Sequence, residues 1–432
     1  MFRSSLLIIN ATRLDDDSPV CAAIEIINSR YRRYPMARTR IIATLATIAF
    51  LSTLSFAHST SNYWVGTCHP RSPFFTTISD AVRSVPPYAT IKVCPGNYPE
   101  QVLITQPLTL EGVMSGDSGA ATVVVPSWTM TQYGQDFIGF DAYFQILVQG
   151  TTGPVNISNL VVDGTGGTIP SSDTTGYSVG IYFQNASGSV TNTSIRNQTA
   201  GWQSIGIYAD GSGAGPSLTL ENNIVRGQTY AGILLWGLVF STPINATLIG
   251  NTVDEPTMTT ILGENLYDNG ILLYSSAGAV RANTVTSGQG LFIESSNLNV
   301  SGNDLNGRLP FWADRDSSTV TGNTIVCASC TAYDTAAGIG NGATKFSGNK
   351  IDAGGHATGI LLSLAGTAQV DSNTIANSSI AVLGCSAFGD ASGYTVTHNT
   401  VIDATTGIKM PSGNSAAPNA FLATTNAVGA CY

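Results

Sequence analysis

The sequence repeats one six-residue phrase, written VRANTV at residues 280–285 and VSGNDL at residues 300–305. In each copy an apolar residue is followed by two others, an Asn, one further residue and a second apolar residue. Apolar residues at this spacing suit short strands whose side chains alternate between a core and the solvent. The phrase therefore predicts short strands that meet at a corner occupied by the Asn.

The phrase recurs along the second half of the chain, with successive Asn residues separated by 20 residues (Asn283 to Asn303) up to 32 residues (Asn251 to Asn283). This period fits a coil of two or three short strands that pairs with the coils above and below at about 4.8 Å. At the corner the Asn is expected to take a left-handed conformation and to bond its own backbone or the next Asn in a ladder. We predict an all-β fold, a right-handed parallel β-helix of about a dozen coils. The repeated Asn residues are Asn223, Asn251, Asn283, Asn303, Asn323, Asn349, Asn373 and Asn399.

The two ends of the predicted solenoid differ from its middle. Residues 75–82 (FTTISDAV) have the pattern of a short amphipathic helix. Because a solenoid must cover its first apolar coil to avoid aggregation, this helix is predicted to be an N-terminal cap. The β-helix domain, cap included, is predicted over residues 58–411, and residues 412–432 are predicted to form a C-terminal cap or tail.

A targeting signal is predicted over residues 36–57. A basic segment, MARTR at 36–40, precedes an apolar run and the small-residue sequence SFA at 55–57, which is the order found in signal peptides. The protein is therefore predicted to be secreted or to lie in the cell envelope. Residues 1–35 are interpreted as a non-native upstream extension, with Met36 as the true start. A cleaved or disordered tail and an uncleaved signal anchor are the alternatives.

Composition limits the partners and the cysteine chemistry. A net charge of −9 with 18 Lys and Arg residues argues against nucleic acid, and no membrane contact is expected once the signal is removed. The chain is predicted to be a monomer. In an exported chain Cys68 and Cys94 are predicted to form a disulfide. Cys327 and Cys330 favour a bridge over zinc, because neither a His nor a second C-x-x-C stands at zinc spacing.

The opening of the chain resembles a known superfamily. The stretch from Tyr63 to Gly112 contains CPGNYPE at residues 94–100, which is similar to the G-x-Y-x-E phrase of pectin methylesterases. Together with the later coils, it resembles the pectin-lyase-like right-handed parallel β-helix superfamily over most of residues 63–411. The resemblance implies the fold, whereas the catalytic motifs of methylesterases, polygalacturonases and pectate lyases are not found in the sequence.

The register of the repeat predicts a surface. Gly270, Gly290 and Pro310 each stand 13 residues before the Asn of their coil. Since side chains alternate along a strand, the second and fourth residues after each of them face outward. Flat rings stack on the apolar faces of sugars and acids accept hydroxyl hydrogen bonds, so the resulting stripe predicts polysaccharide binding. The stripe consists of Tyr182, Tyr208, Trp236, Tyr274, Phe292 and Trp312 with the acids Asp210, Glu294 and Asp314.

The acids of the stripe are also candidate catalytic groups. Glu294 and Asp314 would lie one coil apart, near 5 Å at their backbones, where two carboxylates can act as acid and base or nucleophile. Asp210 is a third candidate. The insertion before Gly270 is expected to bring Glu255, Glu264 and Asp268 to the same edge. The alternative is a purely structural stripe that stiffens the solenoid by stacking.

Two functions compete. The stripe favours a polysaccharide lyase or glycoside hydrolase, whereas the missing motifs favour a non-catalytic β-helix with a structural or surface-binding role. The sequence predicts neither a cofactor nor a bound metal. An acidic chain that binds a polyanionic glycan would need calcium or a basic patch. Calcium is therefore possible, although no calcium-binding motif is present in the sequence.

Overall fold

The fold follows from one coil repeated in register. The computed structural model describes residues 62–69, 74–113, 121–124, 129–131, 133–136, 139–211, 215–237, 243–255, 258–261, 264–328, 330–385 and 391–430. The predicted upstream extension and signal peptide lie outside these residues, as does Cys431.

Each coil contains three short strands. In one coil they are Ser276–Arg281, Thr284–Ser287 and Gln289–Glu294, and the next coil begins at Asn297. Two residues separate the first strand from the second, one separates the second from the third, and two lead into the next coil. Strands of successive coils pair in parallel, so that Val280 lies beside Val300. The predicted all-β, right-handed parallel β-helix is confirmed.

Three stacks of parallel strands result. The first stack contains, in hydrogen-bonding order, Phe74–Phe75, Asn62–Val65, Thr90–Val93, Leu108–Gly112, Val155–Ser158, Gly188–Thr191, Ser217–Glu221, Ile244–Ile249, Ser276–Arg281, Asn297–Ser301, Thr319–Thr321, Lys345–Ser347, Gln369–Asp371 and Thr395–Thr397. The second contains Gly96–Pro99, Ala121–Val124, Leu160–Asp163, Ser194–Arg196, Ile224–Arg226, Thr252–Glu255, Thr284–Ser287, Asp304–Gly307, Thr324–Cys327, Lys350–Asp352 and Ala420–Leu422. The third contains Val102–Ile104, Asp141–Gln149, Tyr177–Gln184, Ser204–Gly211, Ala231–Gly237, Asn269–Tyr274, Gln289–Glu294, Leu309–Asp314, Thr335–Ile339, Thr358–Leu362 and Asn426–Ala430.

Near the C-terminal end, the second and third stacks are joined. The long strands Thr374–Leu383 and Thr400–Met410 each run through both stacks. Ala420–Leu422 and Asn426–Ala430 pair with Thr400–Met410, so the predicted cap or tail at residues 412–432 contains a further partial coil. Within the described ranges, two pairs of strands are antiparallel: Tyr133–Gln135 with Asp141–Gln149, and Met258–Ile261 with Glu264–Tyr267.

The interior is filled by columns of aliphatic side chains. Val280, Val300 and Val320 occupy equivalent places in successive first-stack strands and are fully buried. Leu291 and Phe311 form a similar column in the third stack. Burial of apolar side chains at every second position is the main favourable term in folding. Alternation between core and surface therefore fixes which residues of each coil face outward.

A ladder of buried Asn side chains runs along the corner between the first and second stacks. In the middle of it, the Nδ2 of Asn283 donates to Oδ1 of Asn303 at 2.9 Å, and the Nδ2 of Asn303 donates to Oδ1 of Asn323 at 2.8 Å. The same Nδ2 of Asn303 also donates to the carbonyl of Val280 at 3.0 Å. The ladder starts at Asn223 and continues to Asn419. The predicted Asn ladder is confirmed.

The expected left-handed conformation of the ladder Asn is wrong. Positive φ falls on the residue before it, for example Ala282 with φ 53° and Gly302 with φ 63°. The chain turns at this exposed residue, which leaves the Asn side chain inside the corner, where it bonds to the next coil. Gly suits this position because it reaches positive φ without steric cost.

Replacement of one ladder Asn should destabilise the fold. Asn303→Ala removes the oxygen that accepts both the amide and the Nδ2 of Asn283, and so leaves buried donors unsatisfied. We expect this change to lower the free energy of unfolding by about 3 kcal/mol. Asn299→Ala, at an exposed position of the same coil, is the matched control and should change it by less than about 0.5 kcal/mol. Denaturant titration of both variants checks this, and equal losses would contradict a special role for the ladder.

The single helix of the described residues is Ile78–Ser84. Thr77 is its N-cap residue, whose side-chain hydroxyl accepts a hydrogen bond from the Asp80 amide at 3.1 Å. The Glu100 carboxylate accepts the amides of Ile78 and Ser79, both at 2.8 Å, and so satisfies donors that a helix N-terminus leaves open. The helix buries Ile78, Ala81 and Val82 in the same core cluster as the first coils. No helix among the described residues is long and apolar enough to cross a membrane.

Disulfides join neighbouring parts of the coils. Cys68 and Cys94 are bonded, with Cα atoms 5.6 Å apart, which confirms the predicted bridge. Cys327 and Cys330 are bonded to each other, as the sequence favoured. Cys385 is disulfide-bonded as well.

Glu255 lies inside the coil, although the sequence placed it at the outer edge. Only 1% of the residue is exposed, and its Oε2 accepts the Gln228 amide at 2.8 Å. Asp268 is equally buried, and the side chain of Glu264 lies outside the described residues. The expectation that these acids join the stripe is therefore wrong for Glu255 and Asp268, because alternation turns Glu255 inward after Asp254. Burial raises the pKa of Glu255 to about 8, although backbone donors at Gln228 and Gly227 oppose the shift.

The raised pKa of Glu255 predicts a loss of stability as the pH rises. Between about pH 4.5, the ordinary value, and about pH 8, the folded chain holds a proton that the unfolded chain has released. The free energy of unfolding should therefore fall across this window, by up to about 1.4 kcal/mol per pH unit. Burial also raises the pKa of Asp316 to about 6, so that residue contributes to the fall at the lower end of the window. Glu255→Gln should remove the fall between about pH 6 and 8, whereas exposed Glu221→Gln should keep it. Urea titrations from pH 5 to 8 measure it, and parallel curves for wild type and Glu255→Gln would refute the assignment.

Candidate functional site

The outward register of the third stack is as predicted. Leu291 pairs with Phe311 and both are fully buried, whereas their neighbours Phe292 and Trp312 pair with each other and remain partly exposed. Pro310 takes the place that Gly290 holds in the coil before. The strand register therefore brings Phe292 and Trp312 together on the outer face.

These two rings line an open groove of about 400 Å³. The Trp312 ring lies over the backbone of Gly338 in the next coil, where a Cβ atom would overlap it. Leu361 continues the apolar floor one coil further. We call this surface the open groove; its lining residues are Gln289, Phe292, Arg308, Leu309, Trp312, Tyr333, Asp334, Thr335 and Leu361.

An ion pair between Arg308 and Asp334 lines one side of the open groove. The sequence analysis did not identify these two residues as candidates. The Arg308 guanidinium donates to both carboxylate oxygens of Asp334, at 2.9 and 3.0 Å. Burial opposes ionisation of Asp334, but hydrogen bonds from Thr331 and Arg308 outweigh it and lower the pKa of Asp334. Beside this pair Tyr333 is 98% exposed. The bridged segment after Cys327 therefore presents an arginine, a carboxylate and a phenol to the groove.

The predicted acids Glu294 and Asp314 lie at the ends of the strands that carry Phe292 and Trp312. Glu294 and Asp314 are paired in register, as expected, and both accept hydrogen bonds from the Arg315 guanidinium. Asp314 also accepts the Asn341 amide at 3.2 Å. Both carboxylates are thus already engaged by one cation. An arginine directly after Asp314 was visible in the sequence, but its contact with Glu294 depends on a positive φ at Arg315.

The earlier part of the stripe is not on the surface. Tyr182 is 0% exposed, Tyr208 1% and Asp210 2%, so their prediction as exposed stripe residues is wrong. The two tyrosines belong to an apolar cluster separate from the coil interior, and the antiparallel strand Tyr133–Gln135 covers Tyr182. Tyr208 and Asp210 are buried against Tyr182. The Gln135 carbonyl lies 3.4 Å from the Tyr182 hydroxyl. An insertion between coils, which carries no repeat pattern, accounts for the difference.

Under this cover, tyrosines and carboxylates form a buried cluster. The Tyr182 hydroxyl donates to Asp210 at 2.6 Å, and the Tyr177 hydroxyl donates to Asp136 at 2.9 Å. The Tyr208 ring stacks on Tyr182 with centroids 4.7 Å apart. Burial and the neighbouring carboxylates raise the pKa of Tyr177 and of Tyr182.

The cluster opens into a second, smaller cavity of about 200 Å³. We call it the aromatic pocket. Trp202, which is 37% exposed, and Phe140 lie edge to face with centroids 6.5 Å apart. The sequence missed Asp136, Tyr177 and Trp202, because they belong to insertions or to strand positions outside the repeat. The lining residues are Asp136, Phe140, Tyr177, Trp202, Gln203, Ile205, Tyr208, Tyr230, Leu234 and Trp236.

Aromatic side chains connect the aromatic pocket to the open groove. Trp236 stacks on Tyr274 with centroids 4.5 Å apart, and Tyr274 lies 5.5 Å from Phe292. All three rings are partly exposed. Partly exposed rings therefore follow one another from Trp236 to Trp312, whereas Tyr182 and Tyr208 are buried.

Metal ligands do not converge in the described part of the chain, where no group of three His, Cys, Asp or Glu residues could hold an ion.

Fold and surface together define the class of this protein as a right-handed parallel β-helix with an aromatic groove along one strand stack. Residues 146–339 match the family described as the right-handed beta helix region. The matched region describes the same right-handed β-helix that the sequence predicted and covers just under half of the chain. No curated protein sequence matches the chain.

Three solved structures are similar to this chain at low identity. The Dettilon tailspike protein is 15% identical, with 80% of this chain and 62% of that chain covered and a TM-score of 0.49. The lacto-N-biosidase of Eubacterium ramulus is 10% identical, with 83% and 67% covered and a TM-score of 0.50. The DFA-IIIase of Arthrobacter chlorophenolicus A6, without its lid, is 17% identical, with 84% and 98% covered and a TM-score of 0.44. The chain spans about three fifths of the tailspike's length, and the likeness concerns the fold alone.

Gly338 should be required for the position of Trp312. Gly338→Ala places a Cβ where the indole lies, so we expect the ring to be displaced and the free energy of unfolding to fall by about 1–3 kcal/mol. Gly429→Ala, where a Cβ meets nothing within 4 Å, is the control. Thermal denaturation and near-ultraviolet circular dichroism detect both effects, and an unchanged aromatic spectrum in Gly338→Ala would contradict the stacking.

Proposed function

We propose that this protein binds a polysaccharide along the open groove and the adjoining rings up to Trp236. The single observation that carries the proposal is the row of partly exposed aromatic side chains aligned across successive coils. Their neighbours along the coil axis are about 4.8 Å apart at the backbone, so the row presents a long apolar strip. An extended sugar chain offers apolar ring faces along its length, which suit such a strip.

The flanks of the groove supply the polar contacts that orient a glycan. The Arg308–Asp334 pair and exposed Tyr333 line one side, and the Arg315 pair with Glu294 and Asp314 lies near the other. Each group can exchange a protein or water contact for a sugar hydroxyl. Both arginines already bind carboxylates, which supports a neutral glycan rather than a polyanion. A polyanion would need calcium or unpaired basic residues.

Binding is better supported than catalysis. Glu294, Asp314 and Asp210 were the candidate acid and base groups. Arg315 bonds both Glu294 and Asp314, and Asp210 is buried under Tyr182. A glycosidase needs one carboxyl group free to protonate the leaving oxygen, and neither arrangement supplies it. We therefore assign Glu294 and Asp314 to glycan hydroxyls.

Export belongs to the same proposal. The predicted signal peptide over residues 36–57 and the disulfides of the coils support a protein that works in an oxidising compartment outside the cytoplasm. A monomer fits a groove contained within one chain.

Trp312→Ala should weaken glycan binding roughly tenfold while the protein stays folded, because aromatic contacts dominate such sites. Isothermal titration against neutral and acidic polysaccharides, with and without calcium, measures this. Phe74→Ala, an exposed aromatic residue outside the groove, is the control and should bind like wild type. If Trp312→Ala and wild type have equal affinity for every glycan that binds, the proposal that glycans bind in the open groove is wrong.

The two acids distinguish binding from catalysis. Glu294→Gln and Asp314→Asn keep the shape of the side chains and remove their charges. For a binding protein they should shift affinity, and no shortened glycan should appear with the wild type. Release of oligosaccharides by the wild type that is abolished in either variant would instead establish a hydrolase or lyase.

A further inference from the structure

We propose that the aromatic pocket is a binding site for a small organic cation of the quaternary ammonium type. Six aromatic side chains and the carboxylate of Asp136 line it, and its described lining contains no Lys, Arg or His. Aromatic faces attract cations through the negative potential of their π systems, most strongly for Trp and when water is excluded. A ring cage with one carboxylate is therefore selective for positive charge.

Two acidic side chains lie in or next to the aromatic pocket. Asp136 lies in the wall, and Asp210 lies beneath it against Tyr182. Burial and the charges of neighbouring groups, both aspartates among them, raise the pKa of Tyr208. Burial is the largest cause of this shift, and only the smaller contribution of the two aspartates is one that would also favour a bound cation.

Size and hydrogen bonding favour a methylated ammonium group over a sugar. The cavity of about 200 Å³ is below the usual range for ligand sites, about 300–1,000 Å³, so it admits one compact group. The Asp136 oxygens accept the Phe140 amide and the Tyr177 hydroxyl, both at 2.9 Å. A sugar ring would need several further polar partners, whereas a trimethylammonium group needs only aromatic faces and negative charge.

The mouth of the pocket gives access. Trp202 is 37% exposed, and Trp236 is also partly exposed. Tyr177 and Tyr208 are almost fully buried and form the floor. A ligand would enter between the two indoles and come to rest on the phenol rings.

The test uses choline and its uncharged isostere 3,3-dimethylbutan-1-ol, titrated calorimetrically into the full chain. We expect choline to bind at one site, at least roughly tenfold more tightly than the isostere, because only the cation gains from the rings and carboxylate. Asp136→Asn and Trp202→Ala should each weaken choline binding roughly tenfold. Phe74→Ala, which alters an exposed aromatic residue outside the pocket, should leave it unchanged.

Each variant tests a different contact. Asp136→Asn keeps an oxygen for the Phe140 amide, and Trp202→Ala alters a residue at the surface, so circular dichroism should match wild type for both. Equal affinity for choline and its isostere would overturn the proposal and leave an apolar pocket. Absence of choline binding, or binding of simple sugars at this site instead, would also overturn it. None of these results depends on glycan binding in the open groove.

Discussion

The structure depends on a buried amide at the corner of each coil. The Nδ2 of each ladder Asn donates to a backbone carbonyl of the coil before and to the Asn of the coil after, and its Oδ1 accepts from the Asn of the coil before. These bonds form only when neighbouring coils are in register, so each corner holds the position of the next. Unpaired polar groups in a dry interior are costly, which excludes a slip by one residue. Because register is fixed in this way, the outward side chains of the third stack fall into line.

That dependence explains how much could be predicted. Wherever the Asn phrase and its Gly recur, the sequence specifies the strands, the core and even the pairing of Phe292 with Trp312. Pro310 did not disturb the register, since strand alternation and the ladder outweigh the choice of residue at that position. The left-handed conformation was assigned to the Asn instead of the residue before it. The repeat shows that the Asn recurs, but it does not show which residue of the corner has a positive φ.

The site could be predicted only in part, because insertions carry no period. Tyr182, Tyr208 and Asp210 take the positions that alternation predicts, yet all three are buried, and a strand from residues 133–135 covers Tyr182. Asp136 and Trp202 become neighbours through tertiary packing of two such segments, and nothing in their local sequence indicates it. Arg308 and Asp334 are likewise brought together by the bridged segment after Cys327. The repeat thus determines which side chains of the third stack face outward, and the insertions determine which of them are exposed to solvent.

The ladder also has a mechanical consequence. Each ladder Asn bonds the Asn before it and the Asn after it, and its Nδ2 also donates to a backbone carbonyl of the coil before. Asn419, the last rung among the described residues, is only partly buried, and disulfides at Cys68–Cys94 and at Cys385 lie toward the two ends of the solenoid. Because each coil is held mainly by its neighbours, the loss of one coil at an end leaves the remaining rungs bonded, so unfolding under tension would proceed coil by coil.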